Sequence, residues 1–267
     1  MTRIALVTGG TEGLGLGIAR HLGRAGCALV LAARSPEKGD GAVATLTAEG
    51  FDVSYLPVDV SDEEHVGKLF DILTTRFGKL DVLVNNAGFP KAGPLRTYAT
   101  VDWRRLIGTH LTGTFLCCRA AYPLLKRGDM PAVVNIGSTA GLAGPANTAA
   151  YACVKGGIYA FSQALATEWA PEGIRVNTVA PGAALSHPEG QDSEKTQRRA
   201  RMIPVGHLAT IDEVAAGVAF LASPAAAGII GHCLVIDGGS MGAGMYCANV
   251  YADREDLGHD SSPSQTN

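Results

Sequence analysis

Seven short apolar runs limit what this chain can fold into: residues 4–7, 28–32, 53–58, 80–84, 133–136, 175–179 and 234–236. Each is rich in Val, Leu and Ile, and most do not alternate with polar residues. A strand that alternates keeps one face in water, whereas a strand that is apolar throughout is buried on both faces. Both faces are covered when a parallel sheet carries helices on either side, and the intervening segments carry helix punctuation. Ser61-Asp62-Glu63-Glu64 reads as a capping box, with Val66, Leu69, Phe70 and Leu73 following at helical spacing and Gly78 closing the segment. Thr210-Ile211-Asp212-Glu213 reads as a second box, and Asn147 or Thr148 is placed to cap a long helix running to about Ala170, before Pro171 and Gly173. The strand–helix alternation predicts a single α/β domain over residues 1–248, doubly wound in the Rossmann manner, with a parallel sheet of about seven strands.

Two stretches break that rhythm. Residues 183–206 are polar and charged and show no strand pattern, which is long for a connection and suggests a lid or binding loop over a substrate. Residues 249–267 are polar and end Ser261-Ser262-Pro263-Ser264-Gln265-Thr266-Asn267, a composition expected to be disordered. With 46% hydrophobic residues the chain has ample material for a core, and a formal charge of −3 lacks the basic excess of a general nucleic-acid binder. No apolar run approaches the ~18 residues of a membrane span, and the first apolar run is too short for a signal peptide. The six cysteines form no C-x-x-C pair and no zinc spacing, so no metal site is expected. They read as free thiols in a reducing cytoplasm.

Directly after the first run comes Thr8-Gly9-Gly10-Thr11-Glu12-Gly13-Leu14-Gly15-Leu16-Gly17. A strand, a glycine-rich turn and a helix start are what a pyrophosphate needs: glycines let the backbone approach, and the helix N-terminus supplies free N–H groups. The second run ends Ala32-Ala33-Arg34-Ser35, with no carboxylate to meet a ribose 2′-hydroxyl and an Arg suited to a 2′-phosphate. NADP(H) is the expected cofactor and NAD(H) the alternative. Glu12 stands against the phosphate, because it would repel it.

Several motifs now occur together, in order and at strand ends. They are Thr8-Gly9-x-x-x-Gly13-x-Gly15, Asp59-Val60, Asn85-Asn86-Ala87-Gly88, Ser138, Tyr151-x-x-x-Lys155 and Pro181-Gly182. From about Arg3 to Gly239 the chain resembles the short-chain dehydrogenase/reductase family, and its ketoreductases in particular. The resemblance implies a cofactor cradle of Gly9, Thr11, Gly13, Leu14, Gly15, Arg34, Asp59, Val60, Asn86, Ala87 and Gly88. It adds Pro181, Gly182 and Ala184 on the nicotinamide side, and gives Tyr151 and Lys155 cofactor contacts as well. It also implies a catalytic set of Ser138, Tyr151 and Lys155.

The chemistry is coherent on its own terms. Tyr151 and Lys155 are four apart on an expected helix and share a face. A neighbouring ammonium is expected to lower the phenol's pKa of about 10, making Tyr151 a proton donor to a carbonyl oxygen that Ser138 holds. One position departs from the family. Thr109-His110-Leu111-Thr112-Gly113 puts His110 where the family usually has an Asn that helps hold a relay water. Three readings stay open for it: a core histidine satisfied by backbone, loss of the relay, or an imidazole that takes the relay over, the last being preferred. Its pKa is expected below about 6.5 beside Lys155.

The uncharged loop Thr139-Ala140-Gly141-Leu142-Ala143-Gly144-Pro145-Ala146 beside Ser138 suggests a largely apolar substrate. Lys195, Arg198, Arg199 and Arg201 could meet an acidic substrate or a carrier protein's phosphopantetheine, but a solvated helix face is the plainer reading. The expected activity is NADPH-dependent reduction of a 3-oxoacyl or polyketide-type ketone. The alternatives are an NAD-dependent secondary-alcohol or sugar-alcohol dehydrogenase and a non-catalytic dinucleotide-binding protein. Phe115, Leu116, Tyr122 and Leu125, with Ile158, Tyr159, Phe161 and Leu165, put apolar residues on more than one helix face, so a homotetramer or dimer is expected.

Overall fold

All seven apolar runs become strands in the computed structural model of the chain, which describes residues 2–184 and 194–243. They are β1 (Arg3–Thr8), β2 (Cys27–Ala33), β3 (Val53–Pro57), β4 (Val82–Asn85), β5 (Ala132–Ile136), β6 (Arg175–Pro181) and β7 (Cys233–Ile236). All pair in parallel, in the order β3-β2-β1-β4-β5-β6-β7. Every residue of β4, β5 and β6 is buried, as a run apolar on both faces requires, while the edge strands β3 and β7 are mostly half-buried. The order turns back between β1 and β4. The crevice beyond the carboxyl ends of those two strands is where an open sheet of this kind receives a ligand.

The covering helices divide by face. α1 (Gly13–Arg24), α2 (Pro36–Ala48) and α9 (Ile211–Ala222) close one core, with Ile18, Leu46 and Val218 against Val7, Leu29 and Val134. α3 (Glu63–Phe77), α5 (Gly113–Leu125) and α7 (Ala149–Trp169) close the other, with Leu69, Leu124 and Trp169 against Leu6, Val30 and Val133. Val66, Leu69, Phe70 and Leu73 form the buried stripe of α3 that their spacing predicts. The cap of α3 differs from expectation. Asp62, not Ser61, caps it and accepts from His65 N at 3.0 Å, while Ser61 Oγ donates to Asp59 at 2.7 Å. Aspartate is as good a cap as serine, and Ser61 is already held by the turn before it. The box at Thr210 and Glu213 forms as expected.

Two elements were not fully legible. α4 (Thr100–Ile107) runs into α5 through a π turn, Gly108–Thr112, that widens the helix around His110. Within 183–206, a helix α8 (Glu194–Arg201) occupies part of the segment read as a loop, and Arg198, Arg199 and Arg201 are exposed on it, as a solvated face would be. Residues 185–193 of that segment and the expected tail at 249–267 lie outside the described residues. No described helix is long and apolar enough to cross a membrane.

One buried hydroxyl joins the strand tips that form the crevice. Thr8 Oγ1, at the end of β1, accepts from Asn86 N at 3.0 Å and Ala87 N at 3.1 Å just past β4. Thr8→Val strands both N–H groups beneath the surface and is expected to cost about 2 kcal/mol. Denaturant unfolding reads this as a lower midpoint at unchanged slope, and an unmoved midpoint would remove the hydroxyl from the account.

Candidate active site

The loop after β1 is built on glycines that no other residue could replace without movement. Gly9 and Gly13 sit at φ +64° and +51°, in the left-handed region, and a side chain on Gly15 would overlap the carbonyl oxygen of Gly9. Asn86 Nδ2 clamps the loop by donating to Thr8 O at 3.0 Å and Gly9 O at 3.1 Å. α1 then begins at Gly13, with the extended residue Glu12 before it making no side-chain cap bond, so its first-turn N–H groups remain available to an anion.

A groove of 580 Å³ opens from this loop and crosses the tips of β2, β3 and β4. Gly9, Thr11, Gly13, Leu14, Gly15, Arg34, Asp59, Val60, Asn86, Ala87 and Gly88 all line it, so the structure brings together all the residues expected on the adenosine and pyrophosphate side. The glycine turn, the uncapped helix start and the groove's run from the glycine loop past the tips of β2, β3 and β4 fit a dinucleotide. Ser35 and Lys38 also line the groove, and sequence reasoning missed them. The signal was available: Ser35 caps α2, so a side chain one turn into that helix stands beside Arg34. The feared repulsion from Glu12 is met locally, because Lys38 Nζ lies 2.8 Å from Glu12 Oε2. Burial would raise the carboxyl of Asp59, but hydrogen bonds from Ser61 and the nearby charges of Arg34 and His65 hold it below its usual range.

Ser138, Tyr151 and Lys155 meet beyond β5, where the short helix α6 (Ala140–Ala143) follows Ser138. Ser138 Oγ accepts from Ala140 N at 3.1 Å, and Ser138 stands close enough to the Tyr151 phenol to act on its pKa. Lys155 is 5% exposed; its Nζ donates to Ile136 O at 2.7 Å and stands 5.7 Å from the Tyr151 ring centre. α7 is held in this register by a buried chain that sequence reasoning also missed. Asn85 Nδ2 donates to Asn135 Oδ1 at 2.8 Å, and Asn135 Nδ2 donates to Ser162 Oγ at 2.8 Å.

The electrostatics correct one expectation. Burial raises the Tyr151 phenol above its ordinary value, Ser138 pulling only partly the other way. Burial also lowers Lys155 from 10.5 to about 7. The expected depression of Tyr151 by an adjacent ammonium is absent because Lys155 turns onto the β5 carbonyl and is itself poorly solvated.

His110 is 2% exposed inside the π turn. Its Nε2 lies 3.2 Å from Phe89 N and 3.1 Å from Phe89 O, its Nδ1 has no hydrogen-bond partner, and its ring stands edge-on to Tyr151 at 5.9 Å and 89°. The ring lies on Gly88, where any side chain would overlap it. Its pKa falls to about 3, in the expected direction, though burial is the larger cause and the charge of Lys155 the smaller.

Pro181 and Gly182 close β6 on the far side of Ser138. Pro181 O accepts from Thr139 N at 3.0 Å, and Gly182 is pressed against Asp237. Ala184 pairs with Ala209 beyond them and is exposed. None of these three lines the groove, which ends nearer Phe89, Pro90 and Thr109.

Known proteins match this arrangement over most of the chain. A family model described as enoyl-(acyl carrier protein) reductase matches residues 9–241. The chain is 39% identical to a cis-4-hydroxycyclohexanecarboxylate dehydrogenase of Sinomonas cyclohexanicum, over 89% of this chain and 96% of that one. It is 34% identical to a 3-oxoacyl-(acyl-carrier-protein) reductase of Staphylococcus aureus, over 90% and 98%. The crystal structure of a gluconate 5-dehydrogenase from Burkholderia cenocepacia, in complex with NADP and tartrate, superposes with a TM-score of 0.84 at 31% identity, covering 90% of this chain and 96% of that one.

The burial of His110 has a measurable acid signature. With a folded pKa of about 3 against 6.5, the unfolded chain takes up a proton that the folded chain refuses, so stability is lost as pH falls from 6.5 toward 3. His110→Asn lacks that loss, and between pH 7.5 and 4.5 its melting temperature is expected to gain roughly 5 °C on the parent. Melting curves that fall in parallel for the two proteins would contradict a buried neutral imidazole.

Proposed function

The chain belongs to the short-chain dehydrogenase/reductase family and is an NAD(P)-dependent oxidoreductase of alcohol and ketone groups, and from that premise we propose that it is an NADPH-dependent ketoreductase for a ketone carried on a largely apolar body. The observation that carries the reading is the Tyr151 phenol beside Ser138, whose pKa burial raises while Ser138 pulls it partly back. A phenol that keeps its proton is suited to give it to a carbonyl oxygen. Two neighbouring hydroxyls provide two donors for one oxygen. In this reading Ser138 holds the carbonyl and Tyr151 protonates it. Bound NADPH supplies the hydride at the carbonyl carbon. Lys155, buried 5.7 Å from the Tyr151 ring and lowered to about 7, is the group placed to return a proton to the phenolate left behind. Pro181, Gly182 and Ala184 would border the nicotinamide end beyond the groove, as the family resemblance implies, although none of the three lines it. The loop 139–146 carries no charge, and Leu142 is exposed on it, which supports an apolar substrate surface.

His110 enters this reading as a positioning residue. Its Nε2 is committed to the Phe89 backbone, and its ring backs the ring of Tyr151, so it holds the acid in place rather than passing protons to Lys155. Self-association as a dimer or tetramer belongs to the same proposal. Phe115 is exposed beside an apolar groove shared with Leu111, Ile158 and Phe161, a surface for a second copy of the chain.

Arg34 at the tip of β2, with Ala32 and Ala33 where a ribose-binding carboxylate would stand, supports NADPH. The presence of NADP in the similar gluconate 5-dehydrogenase supports it too. An NAD-dependent sugar-alcohol or secondary-alcohol dehydrogenase is the second reading, and Glu12 at the mouth of the groove is the observation in its favour.

Tyr151→Phe is expected to fold and bind NADPH as the parent does while turnover of a ketone panel drops by about 10²-fold or more. In the same assay His110→Ala lowers kcat at unchanged cofactor affinity, and His110→Asn recovers most of it. Retained turnover in Tyr151→Phe would remove the phenol from the chemistry. For the cofactor, Arg34→Gln is expected to weaken NADPH binding roughly tenfold relative to NADH, the scale of one charge-assisted phosphate contact. Equal losses for both cofactors would overturn the NADPH assignment.

A further inference from the structure

Tyr151 belongs to neither of the two sheet cores. It stands at the edge of a third, small cluster in which only Leu106, Ala150 and Val154 are buried, and whose other members, Phe89 among them, are half-buried. So thin a core leaves much of the phenol's placement to the rings around it. The Phe89 and His110 ring centres lie 5.6 Å apart at 54°, and those of His110 and Tyr151 lie 5.9 Å apart at 89°. Both spacings fall in the ~4.5–7 Å range at which aromatic rings attract. Arg105, exposed on α4, sets its guanidinium carbon 4.6 Å from the Phe89 ring centre, near enough for the ring face to hold the cation. A line of contacts therefore runs from a surface arginine through two rings to the phenol.

The backbone alone does not fix the His110 ring. Its Nε2 lies near both Phe89 N and Phe89 O, but one nitrogen of a neutral imidazole either donates or accepts, so only one of these is a hydrogen bond at a time. Its Nδ1 makes none. A single bond at one atom leaves the ring able to tilt about it, and the groups packed on the ring decide the tilt. Gly88 lies against it without a side chain, and Phe89 adds a ring. We propose that Phe89, braced by Arg105, is a positioning residue that sets the tilt of His110 and through it the aim of the Tyr151 phenol. The proposal rests on the reading of His110 above and adds what holds His110 itself. Phe89 also lines the groove, so the test must separate a wall from a brace.

The first measurement is steady-state kinetics of the full-length protein with NADPH and a ketone that the parent turns over. Phe89→Leu is expected to lower kcat about tenfold at unchanged KM for both substrates, less than the ~10²-fold that a 1 Å misplacement costs. Phe89→Tyr keeps the ring and is expected within about twofold of the parent. Arg105→Met lowers kcat about threefold, the scale of one exposed cation–π contact. In a His110→Asn background, which has no ring to pass the contact on, Phe89→Leu changes kcat by no more than about twofold. The second measurement needs no turnover. In the cofactor-free protein labelled with ¹³C at the histidine Cε1 positions, the His110 signal is the one absent from His110→Asn. Arg105→Met is expected to move it although the two residues touch only through Phe89. Melting curves check folding, and Arg105→Met, a surface change, keeps the test open should Phe89→Leu unfold. A raised KM for NADPH at unchanged kcat makes Phe89 a groove wall and overturns the proposal. So does an equal loss of kcat with and without His110, an equal loss in Phe89→Tyr and Phe89→Leu, or a His110 signal that stays still in Arg105→Met. If His110→Ala lowers kcat and neither Phe89→Leu nor Arg105→Met does, the brace is wrong and the reading of His110 stands. If none of the three lowers it, both fall together.

Discussion

A sheet buried on both faces has only its strand ends and edges left for polar work, and the whole site follows from that constraint. Along β4, β5 and β6 every residue is covered, so the groups that meet a ligand lie past the last strand residue or on the helix that follows. Thr8, Asn86 and the glycine loop occupy the ends of β1 and β4, where the strand order turns back and leaves a crevice. The hydroxyl of Thr8 ties the two tips together, and the close approach of Gly15 to Gly9 keeps the loop low enough for phosphates to lie over it.

Burial is also the dominant electrostatic force around Tyr151. Tyr151, Lys155 and His110 are packed against one another with little solvent, and desolvation is the first cause of the shift in each. The phenol keeps its proton, the ammonium titrates near neutrality and the imidazole stays neutral. The other end of the groove is the opposite case. Arg34, Lys38, Glu12 and Asp59 lie at its solvent-facing end, where charges are screened and exchange partners easily. Low dielectric around Tyr151 thus contrasts with hydration around Arg34 and Lys38.

Much of this was legible before any coordinates. The strand runs, the stripe on α3, the box at Thr210 and the glycine loop all form where local pattern places them, because each is decided by neighbours within a few residues. Ser61 and Asp62 are both good caps for α3, and only the turn at Asp59 settles which is free. The π turn at His110 left no clear periodic signal, whereas the basic cluster on Glu194–Arg201 already read as a solvated helix face.

What the sequence by itself determined was the set of groups and their order: a buried parallel sheet, glycines at the first turn, and hydroxyls and cations just past strand ends. Those follow from burial, backbone sterics and helix spacing, which are local. What only the tertiary structure decided was the state of those groups. The pairing of Lys38 with Glu12, the chain from Asn85 through Asn135 to Ser162, the turn of Lys155 onto Ile136, and the seat of His110 on Gly88 join residues from separate elements. Protonation and pairing depend on distance and desolvation, and both are set by which elements the fold packs together, which no window of sequence contains.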